Sequence, residues 1–119
     1  MRKTWEVIST EMTTIGSKTL AREPNTTAAG APFRDEIVDA VWEKAKPELW
    51  FTYFRRDACG ATIGKFDYGQ NTEYGWEIDH IVPIAAGGTD EISNLQPLHW
   101  ENNREKGDNH PEWSCRRRH

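Results

Sequence analysis

The sequence predicts a single small α+β domain, and three features carry that expectation. Residues 33–46 have the spacing of an amphipathic helix. Residues 49–66 hold an aromatic, β-prone run, a turn and a shorter returning run. Residues 76–106 read as strand, long loop, short strand and helix. At 119 residues the chain has room for one modest core. Charged residues make up 29% and aromatic residues 11%, with six Trp, so much of that core must be aromatic rather than aliphatic.

Taken in order, Thr4 to Ser9 (TWEVIS) alternate apolar and polar residues, the pattern of a short strand. Glu11 to Pro32 is rich in Thr, Ser, Ala, Gly and Pro without a period and reads as a loop or arm. From Phe33 to Lys46, Ile37, Val38, Val41, Trp42 and Ala45 share one helical face, with Asp35, Asp39, Glu43 and Lys44 opposite. Acids lie early and Lys44 and Lys46 late, as the helix dipole favours, and Pro47 stops the helix. Leu49 to Arg55 reads as a strand, Asp57 to Gly60 as a turn and Ala61 to Phe66 as the returning strand. Tyr68 to Tyr74 is loop, Trp76 to Asp79 strand, and Pro83 to Ser93 a second loop around Gly87-Gly88. Leu95 to Leu98 is a short strand, and Trp100 to Lys106 a helix with Gly107 at its C′ position. Asp108 to His119 is a tail. Trp42, Trp50, Trp76, Trp100 and Trp113 are the expected core aromatics.

The net charge is −4, unusual for a nucleic-acid binder, but its distribution matters more than its sum. Asp67 to Glu91 holds six acids and no Lys or Arg, whereas Arg55-Arg56, Arg104, Lys106 and Arg116 to Arg118 form basic clusters. That layout suits a cation site beside a phosphate track as well as an ordinary mixed surface. The apolar runs are too short for a membrane span, so no membrane partner is expected. Arg2 and Lys3 are not followed by an apolar stretch, so no secretory signal is read and the cytoplasm is the expected compartment. Cys59 and Cys115 form no CxxC pair, and in a reducing cytosol they are expected as free thiols, with a Cys59–Cys115 bridge the lesser reading.

Between Trp76 and Asp108, the residues able to hold a metal or move a proton are Asp79, His80, Asn94, His99, Asn103 and Lys106. An antiparallel strand pair packed on one helix brings the end of the first strand to the face bearing Asn103 and Lys106, which are three residues apart. His99, just before that helix, is expected in packing or capping rather than as a ligand.

The stretch EIDHIVPIAAGGTDEISNLQPLHWENNREKGD resembles the HNH endonucleases, in the ordered set Asp79-His80, Asn94, Asn103 and Lys106. Asp57-Ala-Cys-Gly-Ala61, Tyr68-Gly69 and Pro111-Glu-Trp-Ser-Cys115 resemble one bacterial and phage branch of that family. The resemblance implies a ββα-metal core, with the N-terminal helix and hairpin as elaboration. It divides the chain into an arm (1–32), a nuclease domain (33–115) and a basic tail (116–119). It also implies metal-dependent hydrolysis of DNA phosphodiester bonds, one strand per site, so a double-strand cut needs two events or two copies, as in a homodimer.

In that scheme His80 is the general base, near neutral pH because an unperturbed imidazole titrates at about 6.5. Asn94 is expected to accept the Nδ1 proton of His80 and leave Nε2 facing the water. Asp79 and Asn103 are the expected metal ligands. Two hard oxygens plus waters suit Mg²⁺ or Mn²⁺ better than a closed zinc site, with other divalent transition metals less favoured. Some relatives carry a histidine ligand where this chain has Gly107, which again favours a single, weakly held ion. Arg104, Lys106, Arg55 and Arg56 are the expected phosphate contacts. The rival reading keeps the fold as a DNA-docking or assembly module with a phage-packaging or defence partner.

Strand neighbours point to opposite faces, so Asp79 and His80 can share a cleft only where the strand ends. Regular pairing is therefore expected to break at or next to His80, with Ile81-Val82-Pro83 leaving the ladder.

Overall fold

The computed structural model describes residues 22–119, so the strand expected at Thr4 to Ser9 and residues 11–21 of the arm lie outside the described residues. The chain runs as helix α1 (Asp35–Trp42), strands β1 (Lys46–Glu48), β2 (Phe51–Arg56), β3 (Thr62–Gly64), β4 (Trp76–His80) and β5 (Leu95–His99), and helix α2 (Trp100–Lys106). Three strands form one antiparallel sheet in the order β1-β2-β3, and β4 and β5 form a second. The fold is α+β, as expected.

Helix α1 ends four residues before the expected Lys46. The residue preceding a proline is pushed out of helical conformation, and Lys46-Pro47-Glu48 instead pairs with β2. Lys44 is thereby freed from the helix end, and its ammonium bonds the carbonyls of Ile92 (2.6 Å) and Leu95, fastening the loop before β5. The strand expected from Leu49 begins at Phe51, because Leu49-Trp50 forms the turn between β1 and β2. Trp50 consequently stands 82% exposed instead of joining the core. Trp42 and Trp76 do join it, with Phe33, Val41, Ala45, Ile63, Ile78 and Leu95. Trp100 and Trp113 are half-buried.

The β4–β5 pairing sets Asp79 opposite Gln96 and His80 opposite Leu95. One more bond, from Ile81 N–H to the Asn94 carbonyl, closes the ladder, and β4 ends at His80 as expected. Pro97 sits within β5 opposite Ile78. At that pair the Ile78 N–H points away from β5, to the Asn25 side chain. The pair is thus of the non-hydrogen-bonded kind, and the missing N–H of Pro97 falls on the outer side.

Cys59 and Cys115 are joined, with Cα atoms 5.8 Å apart, which overturns the free-thiol expectation. The link draws the C-terminal segment back onto the turn before β3. Asn102 completes the anchor: its Oδ1 accepts from the Arg116 and Arg117 N–H groups and its Nδ2 donates to the Arg117 carbonyl. Asp57, buried beside it, accepts from Cys59, Ala61 and His99 N–H and from Asn102 Nδ2. The two cysteines are 56 residues apart, and closing a loop of that length is worth about 4 kcal/mol in the chain-entropy view. Chemical denaturation with and without a reductant should reveal a loss of that order, matched by Cys59→Ala/Cys115→Ala.

Candidate functional site

The free edge of β4 is where the site is built, because there the backbone groups turned away from β5 need partners. The Trp76 carbonyl accepts from Gly69 N–H, the Ile78 N–H donates to Asn25 Oδ1, and the His80 carbonyl accepts from Lys106 Nζ (3.0 Å). A cavity of about 230 Å³ lies along this edge. Its lining includes Asp79, His80 and Asn103 together, with Arg104 and the arm residues Arg22 to Thr26. The edge makes residues from both faces of the strand accessible. Glu77 and Asp79 face α2, while Trp76, Ile78 and His80 face the other way, with His80 beside the Phe33 ring.

Asp79 is buried. One carboxylate oxygen meets Lys106 Nζ at 3.1 Å, and the other accepts from Gln96 Nε2 at 2.9 Å. Burial raises its pKa above the usual carboxylate range, against the pull of the Gln96 hydrogen bond and the Lys106 ammonium. Asn103 donates its Nδ2 to Glu77 Oε1 (2.8 Å), which leaves Oδ1 as the free end of the amide. Glu77 is itself buried and held by Arg104 at 2.7 Å.

His80 makes its ring contact through Nε2, 2.8 Å from Asp90 Oδ1. Asp90 also accepts from the Ala28 N–H with both oxygens, at 3.0 and 3.1 Å. Partial burial pushes its pKa up, but the His80 and Ala28 hydrogen bonds and the charges of His80 and Arg22 outweigh that and leave it lowered.

Several expected roles need correction. Asn94 does not touch His80. Its Oδ1 accepts from Val82 N–H and its Nδ2 donates to the Val82 and Thr89 carbonyls, so it staples the loop that leaves β4. That loop turns through Gly87, at φ 92°, and at Gly88 a Cβ would collide with the Val82 carbonyl and Asn94. Lys106 is 1% exposed and paired with Asp79, so it is no phosphate contact: a buried, paired ammonium cannot reach solvent-borne phosphate. Arg55 is tied to Glu43 and the Ala45 carbonyl and lies over Trp42, and Arg56 is tied to Glu48 and the Gly60 carbonyl; neither lines this cavity. Arg104 does line it, half-exposed, with its guanidinium over Trp100. His99 caps α2, accepting the Glu101 N–H, and is fully buried.

Sequence reasoning missed Glu77, Asp90 and Gln96. Each has a signal: Glu77 and Asp79 alternate on one strand face, Gln96 is cross-strand to Asp79, and Asp90 follows the Gly-Gly turn. Only the register turns those signals into contacts.

The donor set fits a divalent cation. An ionised carboxylate offers about four lone-pair sites, of which Lys106 and Gln96 occupy two. With the Asn103 amide oxygen this gives two hard oxygens on a cavity of about 230 Å³, spacious enough for several waters at about 30 Å³ each. Among the described residues no group of three or more His, Cys, Asp or Glu side chains is arranged to hold a metal, so a closed zinc cage is not built there.

Residues 58–109 match the family model described as HNH endonuclease. No curated protein and no solved structure matches the chain. The match spans the disulfide turn, β3, β4, β5 and α2, and so includes Asp79, His80, Asn94 and Asn103. No helix among the described residues is long and apolar enough to cross a membrane.

Lys106→Met should test the buried pair. It strands the Asp79 carboxylate in the interior, at a cost of about 3–5 kcal/mol near neutral pH. An acid whose native pKa is raised loses stability as pH climbs from its unfolded value through its native one. The deficit of the variant should therefore shrink as pH falls towards the ordinary aspartate range, as read by denaturant titration at a series of pH values.

Proposed function

We propose that this chain, whose residues 58–109 match the HNH endonuclease family model, hydrolyses DNA phosphodiester bonds at the cavity beside β4, cutting one strand per event. The observation that carries this reading is the meeting of Asp79, His80 and Asn103 on one cavity at the end of a strand. A proton acceptor and two hard oxygen ligands are what hydrolysis of a phosphodiester asks of a protein.

In this reading Asp79 and Asn103 hold a divalent cation, Mg²⁺ or Mn²⁺. Bound there, it would neutralise charge developing on the phosphate and on the leaving oxygen. His80 takes a proton from water as the water oxygen bonds to phosphorus. The bond from phosphorus to the 3′ oxygen breaks, and solvent returns a proton to that oxygen. Asn103 presents Oδ1 because Glu77 holds the other end of its amide, and Arg104 holds Glu77 in place through an ion pair at 2.7 Å. Arg104 also lines the cavity, where its remaining N–H groups can meet a phosphate oxygen. Asn94 acts on the loop and not on the proton.

Conversion of supercoiled plasmid to the nicked form, followed across a series of divalent metals, tests this. Wild-type protein should nick with Mg²⁺ or Mn²⁺ and stop with a chelator. His80→Ala should be slower by about 10²- to 10⁴-fold, the range for loss of a general base. Full activity in His80→Ala, or DNA binding without nicking under every metal, refutes the proposal.

A further inference from the structure

Two segments that are far apart in sequence meet at the His80 ring. Asp90 comes from the loop after β4, and Ala28 from the arm, outside the stretch that matches the family. Asp90 lies between them, bonded to His80 Nε2 and to Ala28 N–H through the same Oδ1. The arm is itself pinned to the site. Asn25, at φ 61°, turns the chain so that its Oδ1 caps Ile78 N–H on the free edge of β4. Arg22 closes the turn by donating to the Thr26, Thr27 and Ala28 carbonyls. Among the described residues, no hydrogen-bond partner meets the other ring nitrogen, Nδ1 of His80.

We infer that Asp90 is a positioning residue that fixes the His80 ring with its proton on Nε2, and that the arm, through Ala28 and Asn25, holds Asp90 in place. A carboxylate is an acceptor only, so at 2.8 Å it selects the tautomer that donates from Nε2. Nδ1 is then the atom with a free lone pair, and it is Nδ1 that receives the proton from water. This reverses the nitrogen expected from sequence. It also makes the arm part of the working site: Arg22 to Thr26 line the cavity, and Ala28 holds the carboxylate that sets the ring serving it. The carboxylate is only partly covered, its side chain 39% exposed, so the contact contributes orientation and not fold.

The catalytic meaning of the contact rests on the hydrolytic reading, but the contact itself is testable without turnover. In ¹⁵N-detected imidazole spectra in alkaline buffer, with His80 assigned through His80→Gln, the wild-type ring should show the Nε2–H tautomer. Asp90→Ala should move it towards a mixture and quicken exchange of the Ala28 amide. Asp90→Asn, which keeps an acceptor, should restore most of the wild-type signal. Asn25→Gly, which keeps the left-handed turn but removes the cap, should shift His80 in the same direction as Asp90→Ala.

In plasmid nicking, Asp90→Ala should lower kcat about 10- to 100-fold with KM little changed. A wild-type Nδ1–H tautomer, or His80 signals indifferent to Asp90→Ala, overturns the inference. Indifference to Asn25→Gly alone overturns the part given to the arm. Should the wild type show the tautomer and its response yet never nick, the hydrolytic reading fails and the positioning contact stands.

Discussion

A single buried ammonium ties the domain together where it matters. Lys106 lies at the end of α2, 1% exposed, and reaches across to Asp79 Oδ1 and to the His80 carbonyl. The first contact holds the carboxylate, the second holds the backbone at the last residue of β4. Desolvation makes both contacts costly to lose. Helix and strand are therefore locked in one relative position, and Asn103, one turn earlier on α2, is carried to the same cavity. Even with Lys106 beside it, burial still raises the Asp79 pKa. The ammonium only partly offsets the desolvation of the carboxylate, and a divalent cation on the cavity side would offset more of it.

The second constraint is the ending of the strand. On a continuing strand, Asp79 and His80 would serve different faces. Here β4 has a free edge and stops at His80, and the chain leaves through Val82 and Pro83 under the staple of Asn94. The outward backbone groups are each answered by a different part of the molecule: Gly69, the Asn25 amide and the Lys106 ammonium. The edge is thus protected from pairing with another chain while its side chains stay accessible to the cavity.

The β4–β5–α2 unit was legible in the sequence because its signals are local: alternation in β4, the Gly-Gly turn, the uninterrupted 100–106 stretch and the Gly107 stop. The end of β4 at His80 followed from strand geometry once Asp79 and His80 were required to share one cleft. What could not be read is what long-range contacts decide. Lys106 carries the same letter whether it is solvated or buried, and only packing against β4 turns it from a phosphate contact into an internal counter-ion. Asn94 sits at the spacing from His80 that suggested ring contact, but the loop bends so that its amide meets Val82 and Thr89. The helix expected to Lys46 yields to pairing of Lys46-Pro47-Glu48 with β2, a tertiary gain that overrides local periodicity. The Cys59–Cys115 link depends on the tail folding back over 56 residues, which two isolated cysteines do not announce.

The central claim is that the cavity beside β4 is a divalent-cation centre held by one carboxylate and one amide oxygen. Anomalous diffraction from crystals soaked in Mn²⁺ tests it most directly. The account predicts a single anomalous peak within ligand distance, about 2.0–2.6 Å, of both an Asp79 carboxylate oxygen and Asn103 Oδ1, absent in Asn103→Ala. A peak elsewhere on the chain with none at this cavity, or a peak there that survives Asn103→Ala unmoved, would contradict it.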